Sequence, residues 1–142
     1  VDFWEYNEHT IDGKGRLVLP SSFREAFAGG GVLTNQGDHV ALLTPAGWDI
    51  AFRAMRDSQD FSPRELSVVK SFASRFHADA QNRVTLPPRL RQAVGLERDV
   101  ALIGMGNHVA LYPRDRWHQL EGEVLAVPAD GASLADRLAV AL

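Results

Sequence analysis

At 142 residues the chain fits one compact domain or two very small ones. Its 45% apolar and 23% charged content is that of an ordinary globular protein, and seven Pro and twelve Gly are too few for a collagen-like or disordered chain. The absence of Cys excludes disulfide scaffolds, thiolate zinc sites, iron–sulfur clusters and cysteine nucleophiles, and the formal charge of −3 speaks against a polyanion partner unless the charges are unevenly placed.

No apolar run approaches the roughly 20 residues that span a bilayer. The opening Val1-Asp2-Phe3-Trp4-Glu5 has neither a basic nor an apolar leader region, so no secretion signal is expected. A cytoplasmic location is the simpler expectation for a chain without cysteine.

The predicted elements run twice through one order. Asp12-Gly-Lys-Gly and Asp79-Ala-Gln-Asn read as turns between extended segments. Arg16-Leu-Val-Leu19 and Arg83-Val-Thr-Leu86 read as short strands, stopped by Pro20 and Pro87. A short helix follows each. Ser22-Phe-Arg-Glu25 has capping-box spacing, Pro88 suits a first helical position, and Gly29 and Gly95 suit helix ends. Two more strands are predicted per unit: Gly31–Thr34 and Val40–Leu43, then Val100–Ile103 and Val109–Tyr112. Their connections, Asn35–Asp38 and Gly104–Asn107, are hairpin-like. Helices then start at Pro45, with Trp48, Phe52 and Met55 on one face, and at Pro113, with Trp117 and Leu120. Between the units, Ser62-Pro-Arg-Glu65 forms a capping box, and Leu66, Val69, Phe72 or Ala73, and Phe76 keep helical spacing. A last short helix is predicted from Ser133 to Leu142.

The correspondence is residue by residue. Asp12–Ala26 lies over Asp79–Ala93 at an offset of 67, with Asp, Arg, Leu, Pro, Arg and Ala in place. His39-Val-Ala-Leu42 lies over His108-Val-Ala-Leu111 at an offset of 69, which Trp48 and Trp117 keep. The reading is one unit used twice. Each has roughly 50 residues, too few for a secure core of its own. Intertwining into one pseudo-twofold barrel is the economical arrangement.

Charge follows the same pattern. Asp12–Arg24 carries +2 and Arg75–Arg98 carries +3, so the remainder carries −8. Positive charge is gathered on the two corresponding motifs, as in a polyanion binder with one basic face.

At these residues the sequence resembles the MraZ family of the SpoVT–AbrB superfamily. The matching stretches are Glu8–Pro20, Gln81–Arg91, Ala93–Leu96 and Gly104–Asn107, with two copies of Asp-x-x-x-Arg, each followed by Leu-Pro and Arg. Two positions depart from the family pattern. Glu5 and Asn82 stand where the family usually has glycine, and Asn tolerates left-handed backbone better than most residues.

The resemblance implies an α+β fold: two tandem AbrB-like units forming one pseudo-twofold swapped-hairpin β-barrel with flanking helices. The units are a first repeat over 1–58, a linking helix over 59–76, a second repeat over 77–126 and a tail over 127–142. It further implies a sequence-specific DNA-binding transcriptional regulator, usually a repressor. Such a protein binds direct repeats in the promoter of the division and cell-wall gene cluster. The implied setting is a nucleoid-associated homo-oligomeric ring, with no cofactor, metal, membrane or small-molecule substrate.

The candidate DNA-binding residues are Lys14, Arg16, Gln81, Asn82 and Arg83. A guanidinium can pair with guanine O6 and N7 through two parallel bonds, which suits Arg16 and Arg83. Lys14 suits phosphate, and the amides of Gln81 and Asn82 suit adenine or phosphate. A competing reading has Arg16 and Arg83 bridging to Asp12 and Asp79 and pinning each hairpin. Both hold where Asp orients Arg. For Arg24 and Arg91, packing on the helix surface competes with phosphate contact. The five histidines show no local ligand spacing, and Trp48 and Trp117 read as core or interface anchors. Ser21 and Ser22 lack a nucleophile-elbow context, and no convergent acid–base set suggests an enzyme. The alternative function is a protein-interaction module, antitoxin-like, whose barrel serves assembly.

Overall fold

The computed structural model describes residues 1–142. Its strands are β1 (Tyr6–Thr10), β2 (Arg16–Val18), β3 (Gly31–Asn35), β4 (Val40–Leu43), β5 (Ser74–Phe76), β6 (Arg83–Thr85), β7 (Asp99–Gly104) and β8 (Val109–Pro113). Its helices are α1 (Ser21–Arg24), α2 (Pro45–Asp57), α3 (Pro63–Phe72), α4 (Pro88–Val94), α5 (Arg114–Leu125) and α6 (Leu134–Ala141).

Six strands form one antiparallel sheet in the order β1-β7-β8-β4-β3-β5. The middle strands β4 and β8 are apolar at nearly every position because both faces of the sheet are covered. Leu33, Val40 and Leu42 join the main core, whereas Val32, Ala41 and Leu43 face a second cluster beneath Trp48. This is the two-residue alternation of strands with an apolar partner on either side.

The pairings cross between the two halves of the chain. β1 pairs with β7, and β5 pairs with β3. β4 and β8 join the halves at the sheet centre, with Ala41 opposite Ala110. The remaining strands, β2 and β6, form a separate two-stranded ribbon. Leu17, Leu19, Val84 and Leu86 carry the ribbon onto the main core with at most 1% exposure.

The expected single barrel is not what forms. The sheet is open, with β1 and β5 as its edges, and the ribbon pairs only with itself. Pro20 and Pro87 follow the ribbon strands within two residues and have no N–H to extend the ladder. The linking helix also ends earlier than the expected 59–76. α3 stops at Phe72, and Ser74–Phe76 becomes strand β5. Phe76, which the helical spacing had placed on an apolar stripe, is instead buried in the main core. The backbone groups on the free side of β3 take this segment. A third expectation also fails: α1 begins directly after Pro20 and has no side-chain cap. Ser22 is the second residue of that helix, whereas a capping side chain has to come from the non-helical residue before the first, here Pro20.

Other local rules hold. Thr44 caps α2, accepting from the Gly47 N–H at 3.0 Å. Ser62 and Glu65 form the reciprocal cap of α3, and Ser133 and Asp136 form that of α6. Gly95 closes α4 at φ 72°. Both departures from glycine also sit in left-handed backbone, Glu5 at φ 81° and Asn82 at φ 60°.

Candidate nucleic-acid interface

The ribbon pairs Arg16 with Thr85, Leu17 with Val84 and Val18 with Arg83. Leu17 and Val84 are fully buried. Alternation therefore turns Arg16, Val18, Arg83 and Thr85 onto the outer face. Arg16 and Arg83 are diagonal neighbours there, a spacing of about 7–8 Å or less that long side chains can reach across.

Each arginine is held by the aspartate four residues earlier. Asp12 Oδ1 accepts from the backbone N–H groups of Lys14 and Arg16, both at 2.9 Å. Its Oδ2 accepts from Arg16 Nε at 2.7 Å. Asp79 does the same with Gln81 N–H and Arg83 N–H at 2.9 Å and Arg83 Nε at 2.7 Å. An Asp side chain folding back on later backbone N–H groups is a common turn device. It also leaves both carboxyls below their usual pKa. The largest cause is the backbone N–H of the arginine, supported by its guanidinium and the N–H two residues after the aspartate.

Each turn is also tied to the end of the other ribbon strand. Leu19 N–H donates to Asn82 O at 2.9 Å, and Leu86 N–H donates to Gly15 O at 2.8 Å. Gly15 and Asn82 both take positive φ, 76° and 60°. Behind them, Arg24 Nε donates to Leu19 O and Arg91 Nε to Leu86 O, each at 3.0 Å. A Cβ on Gly15 would stand 2.9 Å from the Arg91 guanidinium. Arg24 and Arg91 are thus struts behind the turns.

The ion pair of the competing reading is present in both hairpins, and it engages Nε alone. A guanidinium has five N–H donors in a planar fork, so the four on Nη1 and Nη2 remain free. The Arg16 and Arg83 side chains are 26% and 29% exposed. Lys14 and Gln81 are exposed at the turn tips, and Asn82 is half-buried below them. Val18 and Thr85, which the motif reading did not single out, share the face between the arginines. Strand alternation puts them outward, but only the β2–β6 register places them between the two guanidiniums.

Similarity to known proteins agrees with this construction. The family model described as "MraZ protein, putative antitoxin-like" matches residues 3–62 and 71–136. The chain belongs to the MraZ family. Among its relatives, "Transcriptional regulator MraZ" of Thermomicrobium roseum is 36% identical over 137 residues, 92% of this chain and 93% of the relative. The protein of the same name from Chromobacterium violaceum is 34% identical over 137 residues, 91% of each chain. That of Leifsonia xyli subsp. xyli is 35% identical over 111 residues, 75% of this chain and 78% of its own. Both Asp-x-x-x-Arg segments lie within the residues that match the MraZ family.

Proposed function

We propose that this protein is a sequence-specific, DNA-binding transcriptional regulator that acts as a repressor. It reads direct repeats in the promoter of the division and cell-wall gene cluster. Arg16 and Arg83 each aim the free side of a guanidinium at guanine, while Asp12 and Asp79 hold Nε and fix the plane of the fork. Lys14 meets phosphate, and Gln81 and Asn82 contact adenine or phosphate. The observation that carries the reading is the pair of matched Asp–Arg hairpins set side by side on one exposed ribbon face. A fork held at Nε with four free donors is a preorganised partner for a planar, two-acceptor edge.

The proposed domain plan is two AbrB-like repeats, 1–58 and 77–126, that exchange strands around the ribbon, with a linking segment over 59–76 and a tail over 127–142. The proposed setting is the cytoplasm, on the nucleoid, as a homo-oligomeric ring. Repetition of a small reading edge raises effective concentration on repeated sites without new contacts.

The test is a titration on direct-repeat promoter DNA and on a scrambled duplex at several salt concentrations. Tighter binding to the repeats, lost in Arg16→Ala and in Arg83→Ala, supports the reading. Equal affinity for both duplexes, or retention of binding in both variants, refutes it and favours the protein-interaction role.

A further inference from the structure

The ribbon repeats its own chemistry about a pseudo-twofold axis. Arg16 opposite Thr85 and Arg83 opposite Val18 are corresponding pairs, with Leu17 opposite Val84 at the centre. The hydrogen bonds follow the same symmetry. Each aspartate makes its three bonds at the same lengths. The Leu19 N–H bond to Asn82 O mirrors that of Leu86 N–H to Gly15 O. Arg24 and Arg91 brace Leu19 O and Leu86 O alike. A half-turn therefore exchanges each Asp–Arg pair with its counterpart.

A twofold reader matches a palindromic site. A direct repeat has no such axis. On one repeat, a ribbon that was twofold throughout would lie in either direction with equal free energy, and neighbouring copies would face both ways. Reading direct repeats therefore requires side chains that break the symmetry.

Two pairs of exposed side chains break it. Lys14 at the tip of the first turn corresponds to Gln81 in the second, and Val18 corresponds to Thr85. One end of the ribbon thus gathers Lys14, Arg16 and Thr85, and the other gathers Gln81, Arg83 and Val18. At the first end Lys14 and Arg16 outweigh Asp12, whereas at the second Arg83 and Asp79 balance. The ammonium and hydroxyl of the first end can both donate to phosphate. Val18, 41% exposed at the second end, offers only methyl groups, which suit the methyl of thymine. Gly15 and Asn82 also differ, but Gly15 is buried and Asn82 half-buried.

We infer that the unlike pairs, Lys14 against Gln81 and Val18 against Thr85, fix the direction in which each copy lies on its repeat. This rests on the proposed reading of direct repeats and adds its polarity. Arg16 and Arg83 grip guanine at either end, and the unlike pairs decide which end meets which flank.

The test exchanges the unlike residues and leaves the arginines in place. Lys14→Gln, Gln81→Lys, Val18→Thr and Thr85→Val together keep the composition of the outer face and reverse its ends. The chain has no cysteine, so Ser22→Cys, just past the Val18 end, gives a single anchor for an iron chelate that cuts nearby DNA. On the wild-type ribbon the chelate cuts one flank of every repeat in excess, by about fivefold or more, the low end for one specific base contact. On the fully exchanged ribbon it cuts the opposite flank, at similar affinity. Exchanging Lys14 with Gln81 alone, or Val18 with Thr85 alone, reduces the excess. Equal cutting of both flanks by the wild-type ribbon, the same flank cut before and after the full exchange, or an excess unmoved by either single exchange overturns this inference while repeat binding stands. Loss of repeat binding in an exchanged chain that melts like wild type overturns it too. A wild type that does not prefer repeats to scrambled DNA overturns the DNA reading itself.

Discussion

Replacing Arg16 with alanine removes a side chain whose position on the outer ribbon face is set twice, by the ribbon and by Asp12. Its Nε is committed to Asp12 Oδ2 at 2.7 Å, so the free donors are those on Nη1 and Nη2. Two parallel bonds from that side to a guanine are worth about 1–3 kcal/mol of discrimination. Arg16→Ala should therefore lower affinity for repeat DNA by about 5- to 140-fold. Affinity for scrambled DNA should fall much less. Arg83→Ala should match it, since the Asp79 hairpin repeats the same three bonds. Lys14→Ala should behave differently, with a similar loss on both duplexes and a salt slope shallower by roughly 0.9. Arg16→Lys keeps the charge but loses the fork, and should keep the salt slope while losing discrimination. The assay is a fluorescence titration of both duplexes across salt, with thermal melting as the check on folding. Equal losses on both duplexes in Arg16→Ala, with the slope change expected of Lys14→Ala, would reduce Arg16 to a phosphate contact and refute base reading.

Three further outcomes follow from the geometry. Leu17→Ala leaves a void beneath the ribbon at a fully buried site and should cost about 2–5 kcal/mol in denaturant unfolding. Glu5→Gly should raise the melting temperature, because Glu5 holds φ 81° and a left-handed L-residue costs about 1–2 kcal/mol, whereas Gly15→Ala should lower it, at φ 76° and with its Cβ against Arg91. Asp12 and Asp79 should titrate by carboxyl NMR below the usual 3.8, because the N–H groups of Arg16 and Arg83 favour their charged forms. The stabilisation they supply is present above the unfolded value and disappears as pH falls through the lower folded one. DNA binding should accordingly be indifferent to these carboxylates from neutral pH down to the ordinary carboxylate range.

The residues that could be read in advance are those whose partners are close in sequence. Asp12 and Arg16 are four apart, and their bond needs only the turn between them. Thr44, Ser62 and Ser133 cap helices through bonds three residues away. The unread parts depend on distant partners. Tyr6–Thr10 is polar or half-polar throughout, and it is a strand because the free side of β7 takes it from Tyr6 opposite Ile103 to Thr10 opposite Asp99. Ser74–Phe76 keeps the helical phase of Leu66, Val69 and Phe72, yet β3 claims it, with Gly31 opposite Phe76. Val18 and Thr85 stand beside the two arginines only through the β2–β6 register, which joins residues 65 to 69 apart. The open sheet escaped the barrel expectation for the same reason. Closure is a property of edges, and no local pattern states which edges meet.

On the proposed reading, the aspartates also decide what kind of binder the ribbon edge is. Lys14, Arg16 and Arg83 stand against Asp12 and Asp79, so the edge of one chain carries little net charge. A surface built to hold DNA by charge alone would omit carboxylates beside its arginines. Here they weaken the sequence-independent attraction and fix the direction of the donors. Direction distinguishes bases, whereas charge density does not. The rest of the chain, at −8 outside the two basic segments, weakens indiscriminate attraction further. On the proposed reading, a single copy is then a weak but discriminating reader, and useful affinity has to come from several copies on spaced repeats. On that reading, discrimination is set within one copy and multiplied by the number of copies on the repeats.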